Sequence, residues 1–124
     1  MKTPNAQHPI TIRRTGARVV IRHDDVVIAD TTDALTLQES TYPAVPYVPR
    51  KDVDLTLLDR TEHSTHCPHK GDAAYFSLPW ADNAVWTYES PYASVKEIAQ
   101  HLAFYSDRVD SIDVRTSAET RASA

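Results

Sequence analysis

Cysteine and glycine are scarce in this chain: one of the first and two of the second in 124 residues. A lone cysteine closes no internal disulfide. It fits a reducing compartment and leaves the Cys67 thiol free for chemistry or for burial. Gly16 and Gly71 are too few for a P-loop or a dinucleotide-binding fingerprint, because those loops need several glycines to wrap backbone amides around an anion. Basic clusters are also missing. Arg13-Arg14 and Arg50-Lys51 stand as isolated pairs on a chain of net charge −4. Nucleic acids and anionic membrane surfaces are gripped through dense Lys/Arg patches, so neither is an expected partner. No apolar run approaches the roughly 20 residues of a membrane-spanning helix, and residues 1–9 lack the apolar core of a signal peptide. A cytoplasmic location is the expectation.

What is present reads mostly as β-structure. Hydrophobic residues make up 41% and charged residues 24%, the balance of a globular domain, and the length suits one domain. Ile10-Thr11-Ile12 alternates. Val19-Val20-Ile21 and Val26-Val27-Ile28-Ala29 flank His23-Asp24-Asp25 and read as a hairpin, since Asp tolerates tight turns. Residues 34–39 alternate in part, as a strand with one wet face does. Pro43, Pro46 and Pro49 each remove a ladder donor, so residues 42–49 are expected as a rigid extended segment at a sheet edge. Short strands are expected at 54–58, 73–78, 84–88 and 109–114. Val95, Ile98, Ala99 and Leu102 fall at i, i+3, i+4 and i+7, the stripe of an amphipathic helix. Ser94 and Glu97 match a capping box, and Pro91 suits a first helical position. The prediction is a mainly β, antiparallel domain over residues 10–115 with one helix at about 91–104, a flexible N-terminus at 1–9 and a flexible tail at 116–124. A parallel α/β fold would need a helix between successive strands.

Chemistry concentrates in one stretch. His63, His66, Cys67 and His69 lie close together and run into Lys70-Gly71-Asp72-Ala73-Ala74-Tyr75. Their number would satisfy tetrahedral zinc. However, His66 and Cys67 are adjacent and point apart on an extended chain, and His8, His23 and His101 are scattered. No metal is expected, and a solvated histidine-rich loop is the simpler account. Cys67 has His66, His69 and Lys70 within three positions, neighbours of the kind that activate a thiol. The Gly71 amide suits an oxyanion. Cys67 and Lys70 are therefore candidate catalytic residues, the alternative being a buried cysteine acting as a small hydrophobe. Lys70 also suits gripping a carboxylate or phosphate, or is an ordinary exposed lysine. Asp52-Val53-Asp54 is a pair of a type that can hold Mg²⁺, but no glycine-serine turn precedes it, and a solvated strand edge is the plainer reading. Trp86 and Tyr88 share a strand face, with Tyr47 and Tyr75 placed to converge on it. Such an aromatic wall builds a small-molecule pocket or simply core.

Over Thr65-His66-Cys67-Pro68-His69-Lys70-Gly71-Asp72-Ala73-Ala74-Tyr75 the chain resembles a bacterial family catalogued as domain of unknown function 427, which also carries a nucleotidyltransferase-like label. Leu37-Gln38-Glu39-Ser40 with Tyr47-Val48-Pro49 and Asp52-Val53 resembles its upstream block. Ala84-Val85-Trp86-Thr87-Tyr88 resembles the next, and Ala103-Phe104-Tyr105 with Asp107-Arg108-Val109 its ending. The resemblance implies a β-tent architecture, in which two small antiparallel sheets meet at an angle. Relatives of that architecture hold zinc through two Cys-x-x-Cys pairs, which one cysteine cannot supply. Others, of the cereblon type, bind a ligand in an aromatic cage, for which Tyr75, Trp86 and Tyr88 are the counterparts available here.

The leading expectation is a small-ligand-binding domain without a cofactor. Its walls are Tyr47, Tyr75, Trp86 and Tyr88; its polar floor is Glu39, Cys67 and Lys70, with Gly71 permitting close approach. The expected occupant is a small polar or anionic molecule. Two alternatives are an enzyme using Cys67 as nucleophile in acyl or thiol transfer, with Lys70 as electrostatic stabiliser, and a protein-interaction module binding a partner strand along residues 42–50.

Overall fold

Short β-branched and aromatic runs with period-2 alternation fix where strands form and which face each buries. The computed structural model describes residues 8–115, and ten strands are found among them. They are β1 (Ile10–Arg14), β2 (Arg18–His23), β3 (Val26–Thr31), β4 (Leu35–Glu39), β5 (Val45–Pro49), β6 (Asp59–Cys67), β7 (Gly71–Leu78), β8 (Ala81–Thr87), β9 (His101–Phe104) and β10 (Ser111–Arg115). One sheet has the order β1-β4-β5-β9-β8-β7-β6, the other β10-β2-β3. All strand pairings are antiparallel. The mainly β class and the two antiparallel sheets agree with the sequence reading. No helix among the described residues is long and apolar enough to cross a membrane. The tail expected at 116–124 and most of the expected N-terminal segment lie outside the described residues. His8 and Pro9 are tied down: the His8 ring meets Glu39, and the Pro9 carbonyl accepts from the Ser40 amide at 2.8 Å.

The β2–β3 hairpin forms where the aspartates predict it. His23 pairs with Val26, and the two residues between them, Asp24 and Asp25, have φ of 48° and 64°. Positive φ at both central positions is what a type I′ turn demands, and its twist matches that of the flanking strands.

Three local expectations are corrected. The helix at about 91–104 does not form. Ala93–Ile98 is a 3-10 segment broken at Val95 (φ −129°, ψ 26°), with Tyr92 at its N-cap and no side-chain cap, and His101–Phe104 is strand β9. The helical stripe is thereby split. Val95 and Ile98 pack under the short turn, while Leu102 pairs with Val48 on one side and Thr87 on the other. Ladder pairing with two neighbours outweighs the weak local preference for helix. The strand expected at 54–58 is instead a 3-10 turn, Leu55–Leu57, whose N-cap Asp54 accepts from the Thr56 amide. The proline-rich segment is not an edge either. β5 lies inside the seven-stranded sheet, with Val45–Tyr47 laddered to β4 and Val48–Pro49 to β9. Dividing its length between two neighbours lets a strand with two prolines sit there: Pro46 is matched only to β4 and Pro49 only to β9, so each has an unladdered flank where its missing amide proton costs no bond. The true edges are β1, paired only with β4, and β6, a mostly exposed polar strand paired only with β7.

Alternation then builds a core on each face of the large sheet. Val48, Phe76, Leu78, Val85, Leu102 and Phe104 join Val19, Ile21 and Ile28 of the small sheet. The intervening residues Tyr47, Ala73, Tyr75 and Ala103 point the other way and pack with Leu37, Tyr88, Val95 and Ile98.

Candidate functional site

The second face carries the polar and aromatic residues that converge. Register sets a row across it: Tyr75 lies opposite Trp86, and Trp86 opposite Ala103. Ala103, fully buried, is small. Its methyl leaves a gap across which the indole Nε1 of Trp86 donates to the Tyr47 hydroxyl at 3.1 Å, the rings meeting edge-on at 89°. Tyr105 continues the same face two residues beyond Ala103 and leans on Trp86, ring centres 4.6 Å apart. Tyr75 shares a hydrogen bond with Thr65 of β6 at 2.9 Å between hydroxyl oxygens.

The polar end comes from the β6–β7 turn. Gly71 opens β7 at φ +112°, a conformation that L side chains rarely adopt. Its β-carbon would meet only ordinary contacts with Ser90, Pro91 and Tyr92, so the backbone angle rather than space demands glycine. The Tyr92 amide donates to the Lys70 carbonyl at 3.0 Å and fastens the turn. Lys70 is buried, 8% exposed. Its ammonium forms a salt bridge with Glu39 at the end of β4 and lies 5.8 Å from the centre of the Tyr88 ring. The second Glu39 oxygen is held by His8 Nε2 at 2.8 Å, and the His8 ring stacks on His69 at 4.1 Å.

Glu39, Tyr47, Lys70, Tyr75, Trp86 and Tyr88 all line one cavity of about 240 Å³, joined by Leu37, Tyr42, Pro43, Val45 and Tyr105. Burial is the largest influence on the Glu39 carboxyl and acts upward. The hydrogen bonds from Lys70 and His8 together outweigh it and hold the group below the ordinary carboxylate range. Burial pushes the Tyr47 and Tyr88 phenols well up. It also lifts Tyr105 up to about 12, helped by a hydrogen bond with Tyr75. The cavity thus presents the protonated phenols of Tyr47, Tyr88 and Tyr105 around the Lys70–Glu39 pair.

The remaining sequence candidates fall elsewhere. Gly71 borders a different cavity with Arg60, Ser64 and Glu89. Cys67 is half-buried against the second core, and among the described residues no hydrogen bond joins its thiol to an imidazole. His66 bonds Asp72, its register partner, at 2.7 Å, and His63 tilts over Tyr75. Asp52 accepts from the Thr31 hydroxyl at 2.7 Å while Asp54 caps its turn, so both acids of the D-x-D pair serve local structure. The histidine-rich stretch assembles no group with metal-ligand spacing among the described residues. His23, Asp24 and Asp110 do come within 4.8 Å of one another at the hairpin turn. Sequence reasoning missed Tyr105, which the Ala103-Phe104-Tyr105 alternation signals, and Tyr42 and Pro43. It also missed His8, for which no local signal exists.

A family model described as Domain of unknown function (DUF427) matches residues 11–115, nearly all of the described chain. No curated protein matches it.

Proposed function

We propose a ligand-binding role for this chain, which belongs to the DUF427 family: the cavity bounded by Glu39, Tyr47, Lys70, Tyr75, Trp86 and Tyr88 takes a small, flat, uncharged molecule that both donates and accepts hydrogen bonds. The observation that carries this reading is a salt bridge between buried Lys70 and half-buried Glu39, set in the wall of an aromatic cavity. Withdrawing two charges from water costs free energy that apolar residues of the same volume would not. An ion pair kept at a cavity wall is therefore better explained by recognition than by stability. Its chemistry narrows the ligand. Lys70 already faces Glu39, so a bare anion entering the cavity meets a carboxylate and a bare cation meets an ammonium. A neutral group avoids both penalties. Lys70 retains donors beyond the one given to Glu39, and each Glu39 oxygen retains a lone pair. The Tyr47 hydroxyl accepts from Trp86 and so has its own proton to donate. The phenol and indole faces suit a planar body. Gly71 contributes by aiming Lys70 inward, and Cys67 by packing under the turn.

Benzamide, benzoate and benzylamine share one ring and differ in charge, which makes them suitable probes. The ¹H–¹⁵N indole signal of Trp86, assigned with Trp86→Phe, reports occupancy. Benzamide is expected to give a saturable shift, with the charged analogues at least about ten-fold weaker, the equivalent of 1.4 kcal/mol. The paired variant Lys70→Met/Glu39→Gln should lose the benzamide response while remaining folded. Benzoate binding as tightly as benzamide, or a benzamide response that survives the paired variant, would sink the reading.

A further inference from the structure

The wall made by Trp86 and Tyr105 has a second side. Together with Pro43 and Val45 these residues also border a neighbouring cleft of about 360 Å³. The cleft has a clear origin. Pairing between β5 and β9 ends at Val48–Leu102. Pro46 has no amide proton with which to extend it and is matched to Thr36 on its other side, so the two strands part. Phe104 and the β10 residues Ile112 and Val114, two apart and on one face, close the far wall. Among the described residues no charged side chain lines it, whereas the first cavity carries the Lys70–Glu39 pair. Val114 and Tyr105 are 48% and 39% exposed there, large apolar surface left open to solvent.

We propose that the ligand is amphiphilic, with a hydrogen-bonding head held by Lys70 and Glu39 and an apolar tail that crosses Trp86 and Tyr105 into the cleft between Pro46, Phe104 and Val114. The inference rests on the ligand-binding reading above and adds the tail. Three features support one two-part molecule. The two cavities share four residues, so a head bound in the first lies against the wall of the second. The charged anchors, Lys70 and Glu39, line the first cavity and not the second. The described residues of the cleft offer a separate polar ligand no charge to grip, yet offer a tail mostly apolar contact. Ile112 and Val114 become the residues that read tail length.

The experiment is a titration series of benzamide, 4-propylbenzamide and 4-hexylbenzamide, followed by calorimetry and by the Trp86 indole signal. Each methylene that enters the cleft should tighten binding by up to roughly four-fold, the equivalent of ~0.8 kcal/mol per buried CH₂. The hexyl compound should therefore bind at least about ten-fold tighter than benzamide. Val114→Asp places a carboxylate in the cleft at a position already half exposed, so folding is preserved. It should abolish the tail's gain and leave benzamide affinity unchanged. Equal affinity across the series, or a gain that persists in Val114→Asp, overturns the tail proposal and leaves the head site standing. Failure of benzamide itself to bind overturns both.

Discussion

The Lys70–Glu39 pair gives the sharpest test of how this molecule is built. Lys70→Met keeps the aliphatic stem and removes the ammonium. Glu39 then remains as a carboxylate with a side chain only 16% exposed, held among the described residues by His8. Removing one partner of a buried pair typically costs about 3–5 kcal/mol, because the other charge is left uncompensated. Glu39 is only half-buried and His8 supplies a second hydrogen bond, so no more than the low end, about 3 kcal/mol, is expected here. For a domain of this size that lowers Tm by roughly 12 °C. Adding Glu39→Gln should recover most of the loss, since a neutral amide carries no buried charge, and the cycle should yield a coupling of about 2 kcal/mol. The pH dependence has a definite sign. In the native protein the Glu39 carboxyl sits below its ordinary value. Its stabilising contribution is present above the unfolded value of about 4.3 and is lost as pH falls through the lower folded value. In Lys70→Met the ammonium is gone and burial acts against the anion, so acid relieves the strain by protonating it. The difference between native protein and variant should shrink between pH 7 and pH 4. Urea unfolding followed by tryptophan fluorescence across that range measures it. A loss under about 1 kcal/mol at pH 7, a gap that widens in acid, or a double variant less stable than the single would refute the reasoning.

Other expectations follow from the same geometry. Gly71→Ala should cost about 1–3 kcal/mol through its +112° φ, seen as a lower urea midpoint, even though the added methyl meets no clash. Asp25→Gly, at φ 64° in the hairpin turn, should stabilise by about 0.5 kcal/mol, because glycine adopts that angle without steric penalty; a lower melting temperature would contradict it. Ala103→Leu should cost about 1–3 kcal/mol by overpacking the gap between Trp86 and Tyr47, with a change in tryptophan emission as the indole loses its partner. Tyr105, whose phenol is raised up to about 12, should deprotonate only in the unfolded chain between pH 10 and 12. Stability should therefore fall with rising pH in that window. A difference titration at 295 nm against Tyr105→Phe locates the transition.

Which parts of this were readable from sequence follows from how local each interaction is. The β2–β3 hairpin was readable because two aspartates between β-branched runs specify a turn within four residues. The shared face of Tyr75 and Trp86 follows from strand alternation once two adjacent strands pair. The helix failed for the converse reason. Val95, Ile98 and Leu102 satisfy a helical period, but Val95 and Ile98 are buried in the core on one face of the large sheet and Leu102 in the core on the other. β6 was hidden because an edge strand facing solvent needs no apolar alternation, and Asp59–Cys67 has almost none. The prolines suggested an edge because each removes a donor, and nothing local shows that β5 divides its ladder between two partners.

By itself, then, the amino-acid sequence determined the β class, the turn at Asp24-Asp25, the glycine-dependent turn that carries Lys70, and the membership of residues 11–115 in one family. These depend on residues a few positions apart, where backbone sterics and side-chain periodicity act directly. Only the tertiary structure decided that Lys70 meets Glu39, 31 positions away, that the small side chain of Ala103 opens a path from Trp86 to Tyr47, and that Pro46 parts two strands to leave a cleft. Those contacts arise from antiparallel pairing among distant strands. Their register is fixed by burial of two opposite core faces at once, and no short stretch of sequence encodes it.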